Sequence, residues 1–271
     1  MTPLQVAALV ACSVGGGMMN AMAGGGTILV FPTLIFLGQP SIVANATSTV
    51  GLLPGAAASM FGYRREVVTH REWLRTLLAP SLLGGALGSV LLLRTPEHAF
   101  ARLAPLLVLF ATLLFMLQGV LARRREGRQA AAGEAGDSVP RARGASTARW
   151  AAALALQFAV AVYGGYFGAA VGILMLAILG FLGLSDILAM NGLKNFFGMC
   201  INGVAAAYFI VRGIVVWPAA LVILAGAVAG GYGGARLARS IGREKARAAV
   251  VVIGLFISAL LFWHQWRQLG R

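Results

Sequence analysis

One cation in this chain stands where the sequence offers it no partner. Lys194 falls eight residues past Asp186, the last charge before a long apolar run over residues 187–211. At 1.5 Å per helical residue that is about 12 Å of helix, close to the middle of a hydrocarbon layer about 30 Å thick. A lysine at that depth costs at least about 2.5–3.5 kcal/mol to insert, so it faces an interior cavity or a partner rather than lipid. No acidic residue occurs at similar depth in any apolar run, and Asp186 is two helical turns away. A buried cation with no counter-charge is what an anion-binding site needs. The competing reading is a lysine that snorkels to the surface or bonds backbone carbonyls; its depth and the lack of an acidic neighbour favour the anion.

The residues around it extend the same chemistry. Asn191-Gly192-Leu193-Lys194-Asn195 has a counterpart in Asn45-Ala46-Thr47-Ser48-Thr49, about two turns into the run 41–62. Asn45, Thr47, Ser48, Thr49, Asn191 and Asn195 all carry donors for an oxyanion. Positions 45 and 48, and positions 191, 194 and 195, share a helix face at spacings of three and four. The same residue types also tie helices together, at about 0.6 kcal/mol per bond on average, and each taken singly fits that role equally well. Gly25 and Gly26, with Gly24 before them and Gly172 in the second half, would let backbone amides at the start of a short helix face an anion, or else let two helices meet closely in a hairpin. The candidate substrate-binding set is therefore Lys194, Asn191, Asn195, Asn45, Thr47, Ser48, Thr49, Gly25 and Gly26. Catalysis is not signalled. His70, His98 and His264 fall in loops or at a span end, and no phosphate-binding loop, metal-ligand cluster or nucleophile–base arrangement occurs. No enzymatic activity, metal or cofactor is expected.

The elements that must carry these residues are membrane helices. The chain is 59% hydrophobic and 11% charged. A soluble domain is about 25% charged, because it needs polar residues to cover its surface. Ten apolar segments are expected, at 3–22, 25–37, 41–62, 73–93, 100–121, 150–167, 169–183, 187–211, 217–236 and 247–265. Most approach the roughly 20 residues that cross a bilayer as helix. The segments 25–37 and 169–183 are short, each follows a glycine-rich stretch, and each could be a re-entrant half-helix. The first segment lacks the basic flank of a signal peptide, the first basic residue being Arg64, and reads as a membrane segment of the mature chain. Trp73, Trp150, Trp217, Trp263 and Trp266 fall near segment ends, where an interfacial belt is expected. Cys12 and Cys200 read as small core residues with no disulfide between them.

The net charge of +14 comes mainly from loops, so it implies no nucleic acid; the expected partners are a small anionic substrate and the lipid bilayer. Residues 64–75 hold four arginines, 122–149 seven, and 236–247 four with Lys245; the intervening loops 94–102 and 212–216 hold two and one. The rich loops should be cytoplasmic and both termini outside. The stretch 122–149 reads as a basic, solvated linker between two transmembrane repeats, 1–121 and 150–271. A shift of 146 positions brings Gly26 onto Gly172, Asn45 onto Asn191, and Gly84, Gly85 and Gly88 onto Gly230, Gly231 and Gly234, the mark of an internal duplication. Gly84, Gly88, Gly230 and Gly234 form small-xxx-small patterns that read as helix packing. Each half has an odd number of crossings, so the second enters the membrane upside down. The expected fold is all-α and polytopic, two inverted-topology repeats of about five segments each, an arrangement recurrent among secondary transporters.

The motifs, in this order and spacing, resemble a known family. They are Gly24-Gly25-Gly26-Thr27-Ile28-Leu29-Val30-Phe31-Pro32, Ala44-Asn45-Ala46-Thr47-Ser48, Tyr63-Arg64-Arg65, Leu83-Gly84-Gly85-Ala86-Leu87-Gly88, the stretch Gly164 to Gly172, Asn191-Gly192-Leu193-Lys194-Asn195 and Gly230-Gly231-Tyr232-Gly233-Gly234-Ala235-Arg236. The chain is similar in these to the sulfite exporter TauE/SafE family of bacterial membrane permeases, and the similarity covers nearly everything but the arginine-rich linker. The resemblance implies a secondary transporter of the inner membrane for sulfite, an organosulfonate or a related sulfur anion. The residues leave two other readings open: a permease or channel for another small anion or metabolite, and a membrane assembly factor that transports nothing.

Overall fold

The computed structural model describes residues 2–23, 25–62, 64–132, 147–184, 186–241 and 251–263. Gly24, Tyr63, the centre of the arginine-rich linker, the basic loop after residue 241 and Trp266 therefore lie outside the described residues. Every regular element among the described residues is a helix. In chain order they are α1 (Pro3–Ala23), α2 (Thr27–Phe36), α3 (Ser41–Gly62), α4 (Arg64–Thr69), α5 (Arg71–Arg94), α6 (Glu97–Ala132), α7 (Thr147–Tyr166), α8 (Val171–Phe181), α9 (Ile187–Val211) and α10 (Trp217–Ile241), followed by α11 (Val251–Trp263).

All ten expected segments are present as helices. Among the described residues, Arg71–Arg94, Glu97–Leu117 and Leu188–Val211 are long and apolar enough to cross a membrane, while Thr27–Phe36, Val171–Phe181, Trp217–Gly231 and Val251–Trp263 are apolar but shorter. α1 and α3, with 21 and 22 residues, have the length but are diluted by glycine and by Asn20, Asn45, Thr47, Ser48 and Thr49.

Two differences from expectation have simple causes. α6 continues past residue 121 to Ala132, because residues 122–132 are mostly alanine, arginine and glutamine, which favour helix in water as well as in lipid. α4 is an additional helix of six residues, too short and too charged to register as an apolar segment.

Glycine sets how the helices meet. α1 lies against α10, and α5 against α7. A Cβ on Gly17 would collide with the backbone of Ala227, and one on Gly230 with the backbone of Val14. On the other seam, a Cβ on Gly88 would strike the backbone of Val162 and Tyr166, one on Gly84 would strike Ala161 and Phe158, and one on Gly165 the backbone of Gly85. Such contacts bring helix backbones close enough for dispersion to hold them in lipid, where apolar burial supplies little drive. The packing role expected of Gly84, Gly88 and Gly230 is met; the surroundings of Gly234 lie outside the described residues.

Two apolar cores flank the centre. One joins α1, α2, α3, α6, α10 and the last turns of α9 around Phe31, Phe100 and Phe209; the other joins α5, α7, α8 and the first part of α9 around Leu77, Met175, Leu193 and Phe197. Phe31 meets Phe167 edge-on at 5.2 Å between ring centroids and Phe100 at 6.3 Å, which fixes α2 against the turn between α7 and α8. Buried polar ties add direction. Gln157 donates to Ser81 Oγ at 2.8 Å between α7 and α5. The Glu97 carboxylate accepts from the backbone N–H of Ser41 and Ile42, capping α3 from the first residue of α6. Arg149 donates to the carbonyl of Phe181 at the end of α8 and lies over that residue's ring.

The aromatic belt needs one correction. Trp217 and Trp263 are exposed, but Trp73 is buried and packs at a tilt against Trp150, 5.4 Å between ring centroids, so it serves the α5–α7 contact rather than the interface. Cys12 and Cys200 are free and half-buried.

Candidate functional site

A cavity of about 50 Å³ lies where α1, α2, α3, the α7–α8 turn and α9 converge. α9 builds most of its polar wall. Its start is fixed by Asp186, whose Oδ1 accepts from the N–H of Leu188 at 2.8 Å and of Ala189 at 3.3 Å, satisfying two amides that a helix cannot satisfy itself. Met190, Leu193, Phe197 and Ile201 then form a buried stripe at helical spacing against α5 and α8. That stripe sets the helix rotation and turns Lys194, Asn195, Gly198, Met199 and Asn202 to the cavity.

α3 supplies the facing wall with Thr49, Leu52, Leu53 and Ala56. These positions correspond, through the 146-residue shift, to Asn195, Gly198, Met199 and Asn202. Asn20 enters from α1 and Thr27 from the first turn of α2. Gly26 makes the latter approach possible, since a Cβ there would clash with the carbonyl of Gly16.

The α7–α8 turn completes the enclosure. Gly168 has φ +79° and Ala170 φ +61°. Alanine in the left-handed region costs about 1–2 kcal/mol, and the turn delivers Gly168, Val171 and Gly172 to the cavity wall. The first-turn amides of α8 therefore begin at the same space, where a helix end favours negative charge.

Lys194 is 4% exposed, and among the described residues it makes no hydrogen bond and no ion pair. The side chains of Asn20, Thr27, Asn195 and Asn202 likewise make no hydrogen bond among the described residues. No Asp or Glu lines the cavity. The wall thus presents one cation, three carboxamides and a hydroxyl that the protein itself does not use, opposite the apolar Leu52, Leu53 and Ala56. This set can surround a small anion with hydrogen bonds and has nothing to neutralise a cation.

The residues singled out from the sequence divide accordingly. Lys194, Asn195 and Thr49 line the cavity. Thr49 Oγ1 and Ser48 Oγ both donate to the carbonyl of Asn45 at 2.9 Å, so their protons are held by their own helix. Asn45 Nδ2 donates to the carbonyl of Tyr166 at 3.0 Å, and Thr47 Oγ1 accepts from the N–H of Val216 at 3.1 Å; these tie α3 to α7 and to the start of α10. Asn45, Thr47, Ser48, Asn191, Gly25 and Gly26 are not among the lining residues. Gly25 lies against Met19, Ile28 and Phe115, and Gly26 against Gly16, both within the α1–α2 hairpin. Asn20, Thr27 and Asn202 are additional. Asn202 was within reach of sequence reasoning, since 194, 198 and 202 repeat every four residues on one helix face.

Comparisons with known proteins point to membrane transporters. The chain is 26% identical over 253 residues to a "Probable membrane transporter protein" of Haemophilus influenzae, covering 91% of this chain and 90% of that one. It is 26% identical over 277 residues to the "Probable membrane transporter protein YfcA" of Escherichia coli K12, covering 99% and 93%. A "Probable membrane transporter protein ORF9" of Sinorhizobium is 25% identical over 261 residues, covering 95% and 90%. No solved structure matches. The model of the sulfite exporter TauE/SafE family matches residues 9–261, and with it this chain of apolar helices, a membrane protein, belongs to the sulfite exporter TauE/SafE family of transporters.

Proposed function

We propose that the protein is a secondary permease of the bacterial inner membrane that carries a small sulfur oxyanion, sulfite or an organosulfonate, by alternating access. The observation that carries this reading is Lys194: buried, without an internal partner, and set among carboxamides that are also uncommitted. Burying an ammonium with no counter-charge is costly, and a bound anion removes that cost. Size supports a small solute. A single water needs about 10–15 Å³ of such space, so a cavity of about 50 Å³ suits a compact anion better than an extended metabolite.

The packing supports inverted repeats. Leaving α4 aside, the first helix of each half lies against the fourth helix of the other half, α1 on α10 and α7 on α5. The cavity lies between equivalent faces of α3 and α9. In a transporter built this way the solute sits at the repeat interface and the halves rock about it. The basic loops, 64–75, 122–149 and 236–247, face the cytoplasm in this arrangement.

The test is radiolabelled sulfite uptake into proteoliposomes, wild type against Lys194→Met at matched incorporation. Uptake by wild type and its loss in the variant is the expected result. Equal uptake by both would remove Lys194 from the site. Absence of wild-type flux for sulfite, thiosulfate and sulfonates alike would sink the sulfur assignment.

A further inference from the structure

Most glycines among the described residues have a visible reason. A side chain on Gly17, Gly84, Gly88, Gly165 or Gly230 would collide with a neighbouring helix. Gly198 has no such reason. It lies in the interior of α9, where glycine is less stable than alanine, and a Cβ built on it meets nothing within 4 Å. The space it leaves open belongs to the cavity, which Gly198 lines one turn beyond Lys194. Met199 and Asn202 on the same helix, and Leu52 across from it on α3, close that space on other sides.

We propose that Gly198 determines the size of the solute: the volume of its missing side chain is the room the anion's bulk occupies beside Lys194. This rests on reading the cavity as the solute site. The geometry distinguishes the idea from a requirement for packing, which no neighbour imposes. α9 also supplies a matched control. Gly203 has open space around its Cβ too, but it does not line the cavity.

The experiment compares Gly198→Ala, Gly198→Val and Gly203→Ala in proteoliposomes, using sulfite, methanesulfonate and ethanesulfonate as a size series. In a close-fitting pocket one methylene changes discrimination by about tenfold or more, so Gly198→Ala should lose the largest anion accepted by wild type by that factor and keep the smallest. Gly198→Val should extend the loss down the series, and Gly203→Ala should leave the order unchanged. Equal loss of all three anions in Gly198→Ala, or no change in either Gly198 variant, overturns the proposal.

A second readout needs no flux. With Cys12 and Cys200 replaced by alanine, Gly198→Cys and Gly203→Cys are exposed to anionic alkyl methanethiosulfonates of increasing size. Modification at 198 should slow as the reagent grows, while 203 shows no size dependence; the same profile at both positions overturns the proposal. Wild type that moves no anion of the series would count against the sulfur substrate and not against the permease, and the labelling profile would then decide the role of Gly198 alone.

Discussion

α3 and α9 offer the same four register positions to one cavity, with different polarity. On α9 they are Asn195, Gly198, Met199 and Asn202, one residue beyond Lys194; on α3 they are Thr49, Leu52, Leu53 and Ala56, one residue beyond Ser48. α3 is not short of polar groups. Its Asn45, Thr47, Ser48 and Thr49 are all buried, but their hydrogen bonds run to Tyr166, to Val216 and to the carbonyl of Asn45. On α3, Asn45 and Thr47 tie the helix to its neighbours and Ser48 and Thr49 bond within their own helix, with Asn45 Oδ1 left over; on α9 the side chains of Lys194, Asn195 and Asn202 make no hydrogen bond among the described residues. Where a group's hydrogen bonds go, rather than its type, separates scaffold from site.

Breaking α9 should give the largest effect. Replacing Lys194 with methionine removes a charge-assisted contact of about 1.5–3 kcal/mol, which predicts a loss of anion affinity of about 10- to 100-fold, read by flux or by competition. The same variant should melt no lower than wild type in detergent, because an unpaired buried charge is removed rather than a tie. A large drop in melting temperature would instead assign Lys194 to the scaffold.

Asn202→Ala should come next, weakening anion binding by about 10-fold, the lower end of the roughly 1.5–3 kcal/mol that a hydrogen bond to a charged partner contributes. Ala56 occupies the equivalent place on α3, so adding Ala56→Asn to Asn202→Ala should recover part of that loss. No recovery would mean that the two faces do not meet the solute in the same way. Asn45→Ala should show the reverse pattern, losing about 1 kcal/mol of stability with affinity retained, checked by denaturation beside competition binding. The smallest effect is expected from Thr49→Val. It keeps the shape and removes a hydroxyl whose proton already serves its own helix, so affinity should change by less than about threefold.

Much of the fold was legible in advance because apolar runs and their interruptions are local properties of a chain. The ten helical segments, the short α2 and α8, and the packing glycines at 84, 88 and 230 could all be read so. The rotation of each helix is not local. It depends on which residues its neighbours bury, and that decides whether Asn20, Thr27 and Asn202 or Asn45 and Ser48 reach the cavity. That Lys194 faces the interior could be read from its depth; an asparagine at the same depth carries no such constraint. Trp73 was misplaced for a related reason. Its position near a segment end suggested the interface, whereas the neighbouring Trp150 buries it.

The two glycine seams also set an order of assembly. α5 finds its partner α7 soon after it is made, with only α6 and the linker between them. α1 is made first, but its partner α10 begins at Trp217, and a Cβ on Gly17 or Gly230 would obstruct their meeting. During synthesis the grooved face of α1 must wait in lipid, or behind an insertion factor, while the rest of the bundle arrives. A ribosome that stops before α10 therefore leaves the face of α1 around Gly17 without the helix that fills it.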